Sequence, residues 1–388
     1  MAGGALATMA CNETRATGPD AGVPAPATAG GWPDKAADLV MLTDRPPNLE
    51  MPAKYLVHDI TPNEAMFVRW HLSGIPTSID LDAYRLKIVG HVERELRLSL
   101  DEVKRLPPVS LVAVNQCSGN GRALFAPPVP GVQWTNGALG NAKWTGVRLK
   151  DLLDRAGVKR GAVDVSFDGL DGPPLPTVPD FVKSLGVAHA ADGDVMVAWA
   201  MNDAPLPMLN GFPLRLVVPG FYSTYWVKAL DEIRVLPAPF DGFWMTKAYR
   251  IPKNEDANEL PTELAKETTP IGKLNVRSLF AAPLAGDRVS GGKPLAIQGV
   301  AFDGGSGIAR VELSTDGGAT WTDARLGPDR GRFSFRRWSS SWTPSARGKA
   351  TLVVRATSAA GETQKSEARW NRAGYMKNDP QRVEVEVS

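Results

Sequence analysis

The residues of this chain best suited to chemistry are a cysteine, two glycines and an arginine that follow one short apolar run. Residues 111–114 are apolar and partly β-branched, which predicts a buried strand. Cys117 lies at the end of this strand, Gly119 and Gly121 permit positive φ, and Arg122 follows. A cysteine in this position is compatible with a nucleophile, a soft metal ligand or a small buried side chain. This stretch alone leaves the three interpretations open.

The rest of the composition narrows the kinds of site that the chain can build. It contains two cysteines, Cys11 and Cys117, and four histidines, so neither a disulfide framework nor a multi-histidine metal centre is predicted. No Cys-x-x-Cys-His motif is present, so we expect no covalently attached haem on this chain. The net charge of +2 gives no reason to expect nucleic acid, and no apolar stretch is long enough for a membrane span. Chemistry would therefore depend on Cys117, arginines and aromatic residues.

The length of 388 residues exceeds what one hydrophobic core usually organises, so we expect two domains. Residues 1–50 are rich in Ala, Gly, Pro and Thr. We interpret them as the remnant of a leader and an extended segment that lies on the surface as far as Asn48. A lipidated Cys11 fits its neighbours poorly, and we favour a disordered, unreactive cysteine there. We place the boundary between the two domains after residue 264, so that the domains are residues 51–264 and residues 265–388.

The first of these domains has the pattern of the α+β class. Ser99 and Glu102 form a capping box before a short helix, and residues 147–157 have helical spacing that ends at a glycine. The stretches that predict strands are 84–90, 163–167, 195–200 and 214–218. Short elements separated by Pro- and Gly-rich connections argue against a regular α/β alternation.

The second domain has the pattern of an all-β structure. Residues 308–314 and 350–356 alternate between apolar and polar side chains, as half-buried strands do. Residues 303–307 and 316–318 are turn signals at hairpin spacing. The pattern predicts an immunoglobulin-like β-sandwich.

Five stretches, taken together and in this order, resemble the sulfite oxidase family of molybdenum enzymes, in particular the bacterial sulfite dehydrogenases. The stretches are 61–71 (TPNEAMFVRWH), 116–122 (QCSGNGR), 211–220 (GFPLRLVVPG) with the Trp-Val-Lys that ends at Lys228, 311–321 (VELSTDGGATW) and 370–375 (WNRAGY). The resemblance runs from about residue 55 to the end. It implies a molybdopterin-binding catalytic domain at 51–264 and an immunoglobulin-like dimerisation domain at 265–388. Two positions differ from the animal enzymes, which carry Asn where Trp70 stands and His where Asn210 stands.

The cofactor that the resemblance implies is molybdenum bound to molybdopterin, with one protein thiolate as a ligand. Cys117 is the candidate for that thiolate, and soft thiolate ligation requires no histidine cluster. His71, Arg215 and Lys228 would bind the pterin and its phosphate. Lys228 is equally compatible with a solvated lysine at a strand end.

The substrate that the resemblance implies is sulfite, a compact oxyanion that arginine forks suit well. Arg69, Arg122 and Arg372 would line the anion pocket, and surface or interdomain ion pairing is the alternative role for each. Tyr249 corresponds to the active-site tyrosine of the family, whose hydroxyl bonds near the oxygen ligand of the metal. Trp134 corresponds to an aromatic residue of the pocket wall, with core packing as its alternative.

The resemblance thus implies oxidation of sulfite to sulfate, with electrons passed singly to a separate cytochrome c. The alternatives are a sulfane dehydrogenase subunit of a thiosulfate-oxidising complex and, in a different class, a non-catalytic immunoglobulin-like scaffold. The expected assembly is a homodimer or a heterodimer with the cytochrome. The expected location is the periplasm, on the basis of the resemblance and the signal-like start.

Overall fold

The computed structural model describes residues 32, 34–367 and 369–388, and it consists mainly of short strands. In chain order the strands before residue 275 are β1 (Val40–Thr43), β2 (Asn48–Glu50), β3 (Val68–Arg69), β4 (Leu86–Gly90), β5 (Leu96–Leu98), β6 (Val109–Gln116), β7 (Leu139–Arg148), β8 (Asp164–Gly169), β9 (Lys183–Gly186), β10 (Met196–Met201), β11 (Ala204–Pro205), β12 (Arg215–Val217), β13 (Leu230–Leu236), β14 (Arg250–Pro252) and β15 (Thr268–Pro270). The strands after it are β16 (Arg277–Ala282), β17 (Arg288–Val289), β18 (Leu295–Phe302), β19 (Ile308–Ser314), β20 (Thr322–Asp323), β21 (Arg325–Leu326), β22 (Arg336–Trp342), β23 (Gly348–Ser358) and β24 (Gln381–Val387).

The helices of the described residues are short. The α-helices are α1 (Leu100–Lys104), α2 (Leu149–Ala156), α3 (Val187–Ala190) and α4 (Phe243–Thr246), and the 3₁₀ turns are Ala53–Val57, Arg122–Leu124, Met208–Asn210 and Ser223–Tyr225. None of the helices in this part of the chain is long and apolar enough to cross a membrane.

The first part of the chain forms three sheets around one large hydrophobic core, and a fourth, two-stranded sheet of β14 and β15. The sheets have the strand orders β1-β2-β3, β11-β10-β7-β6 with β12 also paired to β10, and β5-β4-β13-β8-β9. β4 and β13 run parallel, whereas β6 and β7 form a long antiparallel pair. Short helices and mixed pairing agree with the α+β class that the sequence predicts.

The local predictions for this part are confirmed, with shifted ends. Ser99 accepts a hydrogen bond from the backbone of Glu102, whose side chain accepts one from the backbone of Ser99, so the capping box forms. α2 begins at Leu149, two residues later than its spacing suggests, because the preceding residues belong to β7. Gly157 ends this helix at φ 72°, a conformation that glycine adopts at little cost.

The prediction that the chain lies on the surface as far as Asn48 is wrong for the part that the structure describes. β1 and β2 pair with each other, and β2 pairs with β3. Leu39 and Leu49 are fully buried in the large core, and Lys35 is also buried. Alanine and proline content suggested an exposed segment, but these few apolar side chains anchor it. Residues 1–31, which include the predicted leader and Cys11, lie outside the described residues.

The last part of the chain forms two sheets that share a second core. Their strand orders are β16-β18-β22-β21 and β17-β24-β23-β19-β20. β19 has the bounds that the sequence predicts, and Trp338 and Leu352 are among the fully buried side chains between the sheets. Some residues of β16 and β18, such as Leu279 and Phe302, pack instead into the large core. The two parts of the chain are therefore in contact through apolar side chains.

A buried arginine joins the second part of the chain to the loop that contains Cys117. Arg277 in β16 donates from Nη1 to Gln116 Oε1 at 3.3 Å and to the Asn120 carbonyl at 3.1 Å. Its Nη2 donates to Asn136 Oδ1 at 2.7 Å. Because β16 holds Arg277 from outside the loop, the loop conformation depends on residues more than 150 positions further along the chain.

We predict that Arg277→Met destabilises the protein, because three acceptors lose the charged donor, and the buried Asn120 carbonyl and the half-buried Asn136 side chain are among them. The expected loss in the free energy of unfolding is about 2–3 kcal/mol, the usual range for hydrogen bonds of a charged group. The measurement is the unfolding midpoint in urea. Arg288→Met, at an exposed position in β17, serves as the control and should leave the midpoint unchanged. An equal midpoint in both variants would contradict the prediction.

Candidate active site

Six of the nine site residues predicted from the sequence line one cavity of about 420 Å³ at the end of β6. They are Arg69, His71, Cys117, Arg215, Lys228 and Tyr249. They come from the strand β3 and the residues that follow it, from the loop after β6, from β12 and from two further loops. Residues that lie far apart in the sequence thus meet around the thiol.

Cys117 is held at the end of β6 by the long pairing of that strand with β7. The last four residues of β6 are buried, and the final one, Gln116, still pairs with Leu139. The Cys117 amide donates to the Ala138 carbonyl at 2.9 Å, and the side chain is a free thiol, 5% exposed. The neighbouring Ser118 Oγ has no hydrogen-bond partner among the described residues. The thiol therefore faces the cavity from a fixed backbone.

His71 and Tyr249 form a hydrogen-bonded pair at the wall of this cavity, between His71 Nε2 and the tyrosine hydroxyl. Burial, assisted by the charges of Arg69, Lys228 and Lys183, holds the pKa of His71 well below its usual value near 6.5. The ring is therefore neutral, and the tyrosine hydroxyl can donate to Nε2 while Nδ1 carries the proton. His71 Nδ1 has no partner within the described part of the chain, so its N–H remains available to a ligand.

Arg215 and Lys228 bring positive charge to the opposite side of the cavity. Arg215 Nη1 donates to the Asn210 carbonyl at 2.9 Å, while its Nε has no partner among the residues described. Burial lowers the pKa of Arg215 to about 9. Burial and the charge of Arg215 lower the pKa of Lys228 to about 7, against the opposing effect of Asp171. The Lys228 ammonium lies 4.2 Å from the centre of the Trp70 ring.

The charge in this cavity is unbalanced. Arg69, Arg215 and Lys228 line it, and none of the described residues that line it is an aspartate or a glutamate. Buried cations without a partner are costly, and proteins usually neutralise them with a carboxylate or with a bound anion. The arrangement is therefore suited to a ligand that carries negative charge.

A second cavity of about 840 Å³ shares Arg69, Cys117 and Tyr249 with the first and adds Arg122 and Arg372. It is lined in part by residues 372–375, from the end of the second part of the chain. The thiol thus faces an inner cavity and an outer, wider one.

Arg122 is fixed beside the outer cavity. Its Nε donates to the Ala373 carbonyl at 3.1 Å, and its Nη1 donates to the Val132 carbonyl at 3.2 Å. A Cβ on Gly119 would lie 2.6 Å from Arg122 Nη2, and a Cβ on Gly131 would lie 2.7 Å from Nη1. These glycines leave the space that the guanidinium occupies, so the two glycines of the cysteine loop have different tasks: Gly119 makes room, and Gly121 turns the chain at φ 94°.

Arg372 lines the outer cavity and also makes the ion pair that was its alternative role. Its guanidinium binds the carboxylate of Glu259, with Nε 2.9 Å from Oε1. The Glu259 side chain is 1% exposed and that of Arg372 is 46% exposed. The hydrogen bonds that Arg372 donates to Glu259 raise the pKa of Arg372.

Trp134 lies at neither cavity, so the structure favours core packing, its alternative role. The side chain is fully buried, and its ring meets Phe67 edge to face with 6.3 Å between the ring centres. Phe67 lines the inner cavity in its place. The indole Nε1 has no hydrogen-bond partner within the residues that the structure describes.

Three residues near the cavity had no role in the sequence-based prediction, namely Lys35, Lys183 and Asn210. Asn210 lines the inner cavity, accepts a hydrogen bond from the buried Lys35 on its side-chain oxygen, and donates to the Phe67 carbonyl at 3.1 Å. Lys183 is buried beside Tyr249. The position of Asn210 before the 211–220 motif could have drawn attention to it, whereas the sequence carries no signal for the two lysines.

Fold and site together are consistent with a molybdopterin-dependent oxidoreductase, and comparison with known proteins supports this class. Residues 72–244 match the oxidoreductase molybdopterin binding domain, and residues 268–388 match the Mo-co oxidoreductase dimerisation domain. The chain belongs to the sulfite oxidase family, as its motifs indicated.

The similarity to individual family members extends over most of the chain. The chain is 33% identical to mitochondrial sulfite oxidase of Homo sapiens over 90% of its own length and 66% of that protein. It is 32% identical to sulfite oxidase of Gallus gallus over 89% of its length and 77% of that protein. The crystal structure of the sulfane dehydrogenase SoxCD from Paracoccus pantotrophus superimposes with a TM-score of 0.77 at 26% identity, covering 89% of this chain and 85% of that one. The chain thus spans slightly less than two thirds of the human relative.

The residues of the inner cavity fit a molybdenum–molybdopterin cofactor. Cys117 offers the soft sulfur that molybdenum–pterin sites use, and Arg215 and Lys228 offer charge to the pterin phosphate. Buried polar atoms without partners among the described residues, including His71 Nδ1, Arg215 Nε and Thr224 Oγ1, are donors that a pterin would satisfy.

We predict that the cofactor-free protein becomes more stable as the pH rises from about 7 to 9. The pKa of Lys228 is near 10.5 in the unfolded chain and about 7 in the folded one. The unfolded chain therefore holds more protons in this interval, and stability rises with pH by at most about 1.4 kcal/mol per unit for this lysine. Below about pH 7 the contribution of Lys228 is constant.

The measurement is the unfolding midpoint of cofactor-free protein as a function of pH. Lys228→Met should reduce the slope between pH 7 and 9, whereas Lys293→Met, at an exposed position, should leave it unchanged. Equal slopes in the three proteins would show that Lys228 is not a source of the dependence.

Proposed function

We propose that the protein catalyses the molybdenum-dependent oxidation of sulfite to sulfate and passes the electrons singly to a separate c-type cytochrome. The observation that carries this proposal is the buried thiol of Cys117 between a cation-rich inner cavity and an arginine-lined outer one. The similarity to sulfite oxidases of animals and plants supports the choice of substrate.

The inner cavity is assigned to the cofactor. In this proposal Cys117 binds the metal, and Arg215 and Lys228 bind the pterin phosphate while His71 donates to the pterin from Nδ1. When bound, the group supplies the two-electron oxidation of sulfite, with water as the source of the added oxygen. The protein contributes a fixed thiolate and a site without competing carboxylates.

The outer cavity is assigned to sulfite. Arg69 and Arg122 carry the charge that attracts and orients the dianion. Arg372 also lines this cavity, but its charge is compensated by the ion pair with Glu259. Tyr249 touches both cavities, so its hydroxyl is placed between substrate and cofactor. Burial raises the pKa of Tyr249, so this hydroxyl keeps its proton, which it donates to His71 Nε2, and its oxygen remains able to accept a further hydrogen bond.

A sulfane dehydrogenase activity is the second candidate. The similarity to the solved SoxCD structure favours it. A third candidate, a non-catalytic immunoglobulin-like scaffold, would leave the unpaired cations around Cys117 without a purpose. Sulfite remains the first choice because curated relatives at 32–33% identity are sulfite oxidases.

The assembly and location complete the proposal. We assign residues 51–264 to the catalytic domain and 265–388 to an immunoglobulin-like dimerisation domain. The match of residues 268–388 to a dimerisation family supports a homodimer, and SoxCD suggests a heterodimer with a partner subunit as the alternative. We place the protein in the periplasm, where a cytochrome c would accept its electrons.

The first test is metal analysis of the purified protein together with sulfite-dependent reduction of cytochrome c. We expect about one molybdenum per chain and sulfite turnover, and we expect Cys117→Ser to abolish turnover because a hydroxyl is a poor substitute for a soft thiolate. Cys11→Ser is the matched control and should retain activity. Molybdenum without sulfite turnover would favour the sulfane alternative, and turnover in Cys117→Ser would refute the ligand assignment.

The second test concerns the placement of Arg122. We predict that Arg122→Met and Gly119→Ala raise the KM for sulfite roughly tenfold or more with little change in kcat, because the lost charged contact acts on bound substrate and transition state alike. In Gly119→Ala the guanidinium is displaced by the new methyl group. Gly172→Ala is the control, since a Cβ there meets no atom within 4 Å. Unchanged KM in both variants would remove Arg122 from the substrate site.

A further inference from the structure

Lys183 is a buried cation to which the proposed reaction assigns no role. It is the first residue of β9 and has no exposed surface. Its ammonium donates to the Trp244 carbonyl at 2.6 Å, and it makes no ion pair with any residue of the described chain. Lysine is rarely buried without a carboxylate, because its charge loses hydration that nothing replaces.

The Lys183 ammonium makes cation–π contacts with two tyrosine rings instead of an ion pair with a carboxylate. The Lys183 ammonium lies 4.8 Å from the centre of the Tyr225 ring and 5.2 Å from that of the Tyr249 ring. A cation at this distance is attracted by the electron-rich face of a ring, and the attraction is largest where water is excluded. The lysine therefore binds the ring of Tyr249 through its charge.

The same stretch of chain also supports the partner of Tyr249. Phe181 precedes Lys183 by two residues and lies just before the start of β9. The Phe181 ring is stacked on the imidazole of His71, with 3.6 Å between ring centres and 10° between planes. Residues 181 and 183 thus hold both members of the His71–Tyr249 hydrogen bond.

We propose that Lys183 is a positioning residue for Tyr249, whose ring its ammonium holds so that the tyrosine hydroxyl stays against His71 at the junction of the two cavities. The placement of the ring stands on the geometry alone. Its consequence for turnover rests on the function proposed above.

Loss of the charge should release the ring. Burial lowers the pKa of Lys183 to about 7, so the ammonium becomes a neutral amine slightly above neutral pH. The titratable groups that face it are Tyr225, Tyr249 and His71. Burial raises the pKa of both tyrosines, that of Tyr225 to about 12, and the pKa of His71 lies well below 6.5. Within this group only Lys183 changes its charge near pH 7.

The test is fluorine NMR of cofactor-free and cofactor-loaded protein in which the tyrosines carry a ring fluorine. The Tyr249 signal is assigned by its loss in Tyr249→Phe. We expect this signal to shift with a midpoint near pH 7 in the unaltered protein. In Lys183→Met and Lys183→Arg the shift should become much smaller, because only the effect of Lys228, whose pKa is also about 7, remains. The arginine variant, which keeps its charge, should hold the signal at the low-pH position. Lys349→Met, at an exposed site, serves as the control.

Kinetics provide a second readout. Lys183→Met should lower kcat for sulfite roughly tenfold at pH 6 with little change in KM, since the ring and not the anion site is released. Lys183→Arg should retain most of kcat and keep it above pH 7, where the unaltered protein loses it.

The outcomes distinguish the inference from the function on which it rests. A Tyr249 signal that titrates in Lys183→Met as in the unaltered protein overturns the inference, whatever the substrate. The expected NMR behaviour without sulfite turnover in any variant supports the placement of Tyr249 by Lys183 and refutes the proposed function. A kcat that falls equally in Lys183→Met and Lys183→Arg with an unchanged pH profile would reduce Lys183 to a structural residue.

Discussion

The structure depends on one electrostatic constraint, which is the burial of positive charge around a thiol without enough carboxylate to balance it. Arg69, Arg215 and Lys228 line the inner cavity, and Lys183 lies beside it with two rings as its partners. Removing such groups from water costs several kcal/mol each unless an anion or a dipole replaces the lost hydration. A fold that keeps them is destabilised in the absence of its ligand, and it gains that free energy back when a multiply charged cofactor binds.

The second part of the chain completes the site as well as matching a dimerisation family. Arg277 binds the loop beyond Cys117, and the Met376 amide donates to the Ser118 carbonyl at 3.1 Å. Arg122 in turn donates to the Ala373 carbonyl, and the Tyr375 ring stacks on Tyr249 with 5.4 Å between ring centres. The outer cavity is therefore built from both parts of the chain, and a protein that lacked the second part would lack this cavity. The contacts that the second part makes with the Cys117 loop are mainly polar. Leu279 and Phe302 of the second part add apolar contacts with the large core.

Much of the fold could be predicted from the sequence because local patterns determine it. The strand at 308–314, the capping box at Ser99 and the helix end at Gly157 each follow from alternation, capping or backbone freedom within a few residues. The gathering of Cys117 with two of the arginines could be predicted only through the resemblance to a family, since those residues meet through tertiary packing. The burial of Lys183 and its contact with Tyr249 could not be predicted at all.

The reason is that burial of a polar side chain is decided by residues far away in the sequence. In the sequence Lys183 is an ordinary lysine near a strand, and lysine is normally exposed. Its burial follows from Tyr225, Tyr249 and Trp244, which lie 42 to 66 positions away. Trp134 shows the same limit in reverse, because the family resemblance suggested a pocket wall, whereas Phe67 lines the inner cavity.

Tyr249 links these constraints to the proposed chemistry. Its backbone has φ 53°, a conformation that is uncommon for a residue with a bulky side chain and that persists only where the surroundings enforce it. Here the hydroxyl is held by His71, one ring face is covered by Tyr375, and the charge of Lys183 attracts the ring. Three contacts from three separate segments over-determine one side chain. Such strain is consistent with a hydroxyl whose position matters more than the local free energy, because only a rigid dipole can be oriented in advance toward charge that develops during a reaction.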